Sequence, residues 1–82
     1  MRLPRDLSGH ELIHLLRRYG YERTRQVGSH IRLESSLRGD IHRLTVPDHK
    51  TMRVGTLSAI LSDVADYLRI ERSQLEQELF NK

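Results

Sequence analysis

The strongest constraint on this chain is a single apolar stripe. Leu57, Ile60, Leu61, Val64 and Leu68 fall at i, i+3, i+4, i+7 and i+11. That is the period of a helix with one buried face, and such a face must be covered by something else in the chain. An earlier helix at about residues 8–19 follows from Leu12, Leu15, Leu16 and Tyr19 at the same period. Ser8 with Glu11 three residues later forms a capping box at its start, and Gly20 ends it. Between the two helices the period changes to two. Ile31 and Leu33 alternate with Arg32 and Glu34, which predicts a strand with one wet face.

Strands are expected at 21–27, 30–34 and 41–46, with Leu44 and Val46 sharing a face of the third. Gly28-Ser29 separates the first two, the stretch SSLRGD separates the second and third, and Pro47 stops the last. Thr56 is the expected cap of the second helix. Ser73 with Glu76 reads as a capping box opening a short final helix through Leu75, Leu79 and Phe80. The order is α-β-β-β-α-α. This predicts an α+β fold, a three-stranded antiparallel sheet with helices on one face. At 82 residues the chain is expected to form one domain, residues 1–82.

Cysteine is absent, so disulfides and thiolate zinc sites are excluded. The first twelve residues lack the apolar stretch of a signal peptide and no segment is long enough to span a bilayer, so the expectation is a cytoplasmic protein with no membrane partner. Charge is unevenly spread. Residues 1–53 hold eleven basic and six acidic side chains, residues 54–82 three and five, and twelve of the fourteen basic residues are arginine. Arginine presents a planar fork of donors that matches phosphate. Charge alone leaves open both a polyanion-binding face and an ordinary solvated surface.

Three motifs bear on chemistry. His10-Glu11-Leu12-Ile13-His14 matches H-E-x-x-H, the pattern of zinc hydrolases, in which two histidines one turn apart hold the metal. Here Glu11 is expected in the capping box, both histidines project away from the apolar stripe, and no obvious third ligand follows. Surface histidines are the better reading. Gly28-Ser29-His30 sits between two strands, where glycine permits a tight turn and His30 opens a strand on its polar face beside Arg32. Such a histidine can move a proton to or from a ribose or leaving oxygen, with arginines holding the phosphate. Taken alone it reads as a solvated strand histidine after a turn. In the third motif, Lys50 and Arg53 in the loop from Pro47 precede a helix N-terminus, a candidate phosphate site.

In order along the chain stand Arg17-Arg18-Tyr19-Gly20-Tyr21, then Arg25-Gln26 before Gly28-Ser29-His30. Val46-Pro47-Asp48-His49-Lys50 follows, then Gly55-Thr56-Leu57 leading to Ile60-Leu61. This ordered set, from about Ser8 to Leu68, resembles the HicA-type toxin family. The resemblance implies a fold like that of double-stranded-RNA-binding domains and the activity of a ribonuclease that cuts messenger RNA. It further implies catalysis by His30 without a metal or other cofactor, and a HicB-like antitoxin that covers the histidine. Gly28, Ser29, Arg25, Arg32, Lys50 and Arg53 are then the expected substrate-binding residues. The chain departs from the family at Val27, where a basic or polar residue is common, and in residues 69–82, which extend past the usual end. An alternative is an RNA-binding module without catalysis. Against it, the first two turns of the second helix, Thr56 to Asp63, hold no basic residue to straddle duplex phosphates.

Overall fold

The computed structural model describes residues 3–80; the extreme ends of the expected 1–82 domain lie outside them. Helix α1 spans Gly9–Leu16 and tightens into a 3-10 turn over Arg17–Tyr19. Three strands follow: β1 at Glu22–Val27, β2 at His30–Ser35 and β3 at His42–Pro47. Helix α2 covers Val54–Leu68 and α3 covers Arg72–Phe80. The strands form one antiparallel sheet in the order β1-β2-β3. The α+β order expected from the period changes is the order observed.

The helices pack on one face of the sheet. Ile31 and Leu33 from β2 and Leu44 and Val46 from β3 meet Leu12 and Leu16 of α1 and Leu57, Leu61 and Val64 of α2, all buried. Ile13, rather than Leu15, completes the buried side of α1; Leu15 is only half-buried. Both bonds of the Ser8–Glu11 capping box are made, at 2.9 and 3.0 Å. Leu75 and Leu79 of α3 enter the same core. The final helix is further fastened by Tyr19, whose hydroxyl donates to the Glu78 carboxylate, and by Arg18, whose guanidinium donates to the Glu78 carbonyl. The extension past the family's usual end is thus, as far as Phe80, part of the packed fold.

Two expected caps are corrected. Helix α2 begins before Thr56, with Arg53 at the N-cap and no side-chain capping bond, so Gly55 and Thr56 lie in its first turn. The proposed Ser73–Glu76 box does not form. Ser73 is already inside α3, and Glu76 is buried with its carboxylate accepting from Arg72 Nε at 2.8 Å. Arg72 also donates to Ser62 Oγ on α2 at 3.0 Å. An i,i+4 ion pair within α3, with Arg72 also bonded across to α2, stands where the cap was expected.

A polar cluster holds the far end of the sheet. Tyr21, fully buried, places its hydroxyl 2.6 Å from His42 Nδ1, while His42 Nε2 lies 3.1 Å from Asp63 on α2. The His42 ring stacks on Tyr67 at 4.8 Å, and the Tyr67 hydroxyl donates to the Asp40 carbonyl at 2.6 Å. The His42 ring thus bridges the Tyr21 hydroxyl and the Asp63 carboxylate through its two nitrogens. It ties β3 and the preceding loop to α2.

Burial also pushes the ionisation of two tyrosines to higher pH. Loss of water around Tyr19 is the main cause of its shift from 10.0 to about 12, with the Glu78 bond second. Tyr21 shifts in the same direction, mainly through burial. Between pH 10 and 12 the unfolded chain therefore releases protons that the folded chain retains, so stability present below pH 10 is lost as pH rises. Urea midpoints measured across this range should fall, and Tyr19→Phe should make the fall shallower.

Candidate active site

Strand register sorts the site residues by face. Partners across the ladder share a face, and Ile31, Leu33, Leu44 and Val46 define the covered one. On the open face His30 lies between Val27 and Pro47, and the next row is Arg25, Arg32 and Thr45. Beyond it stand Glu22, Glu34 and Arg43. Residues two apart on a strand are about 7 Å apart, so His30 and Arg32 are neighbours on one surface. His30, Arg25 and Arg32 are exposed, and the His30 ring makes no hydrogen bond among the described residues.

The turn before His30 requires its glycine. Gly28 has φ +60°, the left-handed region that costs a side-chain-bearing residue about 1–2 kcal/mol. Its carbonyl accepts from Gln26 Nε2 at 2.9 Å, and the Ser29 carbonyl accepts from the Asp48 amide at 2.7 Å. The Gly28-Ser29-His30 and Pro47–Lys50 segments, separate in sequence, are therefore in direct contact. The loop is held at two further points: the Gly9 amide donates to the His49 carbonyl and the Met52 amide to the Leu7 carbonyl, both at 2.9 Å.

Not every expected residue joins this group. Lys50 and Arg53 are exposed on the same loop, past Asp48, and no hydrogen bond or ion pair links either to the strands among the described residues. Arg43 was missed by the sequence reading. It shares the open face, where it pairs with Glu34 at 3.0 Å, and with Arg25 and Arg32 it lines a shallow cleft. Alternation with Leu44 and Val46 puts it on the wet face, and the β2–β3 register sets it opposite Glu34. Val27 is exposed beside His30, so its departure from the family pattern falls at the site itself.

The H-E-x-x-H segment has other occupations. Glu11 is engaged in the capping box, and Ser8 lowers its carboxyl below the usual range, chiefly through the backbone amide. His10 Nε2 lies 2.8 Å from Asp48. Both histidines are exposed. Among the described residues no three of His, Cys, Asp and Glu are grouped to hold a metal ion.

A family model described as the HicA toxin of bacterial toxin-antitoxin matches residues 9–65. The chain belongs to the HicA toxin family. It is accordingly the toxin of a toxin-antitoxin system, and membership implies an antitoxin partner. No curated protein and no solved structure matches the chain significantly. The matched span of this HicA protein begins at Gly9, runs through all three strands and ends within α2. It thus contains the whole His30 face and the loop pinned to it. Among the described residues, no helix is long and apolar enough to cross a membrane.

Gly9 is a second residue the sequence reading passed over. A Cβ built there would stand 2.1 Å from the Pro47 carbonyl oxygen, a backbone atom that cannot swing away. A glycine directly after an N-cap, where better helix formers are available, was the signal for this close approach. Gly9→Ala should destabilise the fold by about 1–3 kcal/mol. The loop should also lift, so amide exchange at Asp48 should accelerate more than at core amides such as Leu61.

Proposed function

We propose that this toxin is a single-domain endoribonuclease that acts in the cytoplasm on messenger RNA, with His30 as its one catalytic side chain and no metal cofactor. The observation that carries the reading is the place of His30: unbonded and exposed, at the edge of an arginine row, on a turn braced from behind by Asp48. That Leu7, Leu12, Leu33, Leu61 and Leu79 share one core across the described residues supports a single domain.

In the proposed reaction, neutral His30 takes the proton of a ribose 2′-hydroxyl. The freed oxygen bonds to the adjacent phosphorus, and the bond from phosphorus to the 5′ oxygen breaks. Water protonates the leaving oxygen. One product ends in a 2′,3′-cyclic phosphate and the other in a 5′-hydroxyl. Arg32, with Arg25 beside it, meets the charge that grows on the phosphoryl oxygens, where a guanidinium fork is well matched. Gly28 and Ser29 supply a turn narrow enough for the strand to approach closely. Lys50 and Arg53 contact phosphates farther from the cut. A HicB-like antitoxin silences the enzyme by covering His30.

The test is cleavage of single-stranded RNA in EDTA. His30→Ala should lower the rate by about 100-fold or more while far-ultraviolet circular dichroism is unchanged. Arg32→Ala should lower it less, with the loss shared between kcat and KM. Full cleavage by His30→Ala would remove the assignment. Tight RNA binding by the wild-type chain without any cleavage would favour a non-catalytic RNA-binding module instead.

A further inference from the structure

The register between β1 and β2 slips at Thr24. Arg23 pairs with Leu33 and Arg25 with Arg32, so one extra residue lies between two consecutive rows. Without the bulge, residues 23 and 25 would share a face. With it, Arg25 turns to the open face beside Arg32, and Arg23 turns to the helix side. There Arg23 meets His10, His14 and Arg17 across a groove floored by buried Ile13.

The lining of this groove is one-sided in charge. His10, His14 and Arg17 follow at i, i+4 and i+7 on α1, so they form a single row. No carboxylate lines it. Glu11, on the same helix, is turned to Ser8, and the Asp48 carboxylate, at the groove's end, is shared between the His10 ring and Gln26 Nε2. Arg17 and Arg23 are exposed and form no ion pair among the described residues. A packed surface usually intersperses the two signs, so guanidiniums facing each other across a cleft call for an anion between them.

The groove is also continuous with the proposed active site. His10 bonds Asp48, and the Asp48 amide bonds the Ser29 carbonyl, one residue before His30. Strand β1 is exposed along its whole length, so no element separates its two faces at the sheet edge. We infer that the groove between α1 and β1, lined by His10, His14, Arg17 and Arg23, binds phosphates of the RNA strand that flank the cut. The strand wraps the β1 edge, held by Arg25 and Arg32 on one face and by Arg23 and Arg17 on the other. Its place beside the reacting turn favours RNA over an acidic segment of a protein partner. The inference rests on the ribonuclease reading and adds to it a path for the substrate.

The test separates the two. In a His30→Ala background, which leaves RNA uncut, binding of a labelled single-stranded RNA of about 12 nucleotides is measured against salt. Arg17→Ala with Arg23→Ala should weaken binding about tenfold at low salt. It should also reduce the slope of log affinity on log salt by about 1.4, or about 0.7 per lost phosphate contact. With His30 intact, the same pair should leave cleavage of a dinucleotide unchanged and raise KM for the long RNA. Unchanged affinity and slope, with the fold intact by circular dichroism, would overturn the groove and leave the nuclease standing. So would unchanged RNA binding with loss of binding to the purified antitoxin, which would give the groove to the protein partner. RNA held through the groove but never cut by the wild-type chain would support the groove and remove the nuclease reading.

Discussion

The segment from Pro47 to Met52 is held by three backbone hydrogen bonds to two distant parts of the chain, and the site depends on them. His49 is fixed to the start of α1, Met52 to the residues before it, and Asp48 to the turn between β1 and β2. Backbone groups left without partners in a folded chain are costly, so these bonds also account for donors and acceptors that no helix or strand satisfies. The strap works only because α1 comes unusually close, with Gly9 set against the Pro47 carbonyl. Movement in the loop is thereby coupled to the position of the residue preceding His30. A glycine far from the proposed chemistry contributes to the placement of its reacting group.

The sheet divides labour between its faces. The covered face supplies the apolar side of the core, and the tyrosine–histidine–aspartate cluster and the bond from Arg72 to Ser62 fasten α2 and α3 around it. The open face carries His30 and the arginines, and among the described residues it holds no tyrosine or phenylalanine. A surface without stacking platforms grips a nucleic acid mainly by its phosphates. The acidic row of Glu22 and Glu34, partly answered by Arg43, bounds the basic row on the side away from His30. An anionic strand is therefore favoured across the strands, near the Gly28 turn, rather than along them.

Much of the fold was legible in the residues because hydrophobic period reports directly on which face is buried. The stripe of α2, the alternation of β2 and the Ser8–Glu11 box all lie where the pattern put them. Helix starts were less legible. Thr56 and Ser73 have the chemistry of caps, yet the backbone enters each helix earlier, since packing of Leu57 and Leu75 into the core outweighs a single capping bond. His42 attracted no notice in the sequence because its partners, Tyr21 and Asp63, lie 21 residues away on either side.

By itself the sequence determined the order of elements, the basic character of the first half and, through ordered motifs, the family. These are local or compositional properties, readable from neighbours along the chain. Only the tertiary structure decided that Asp48 supports the turn before His30, that Arg43 stands opposite Glu34, and that Arg23 and Arg25 point to opposite sides of β1. The reason is physical. Which face a strand residue occupies depends on its register with a partner strand, and one bulged residue reverses it without any mark in the local sequence.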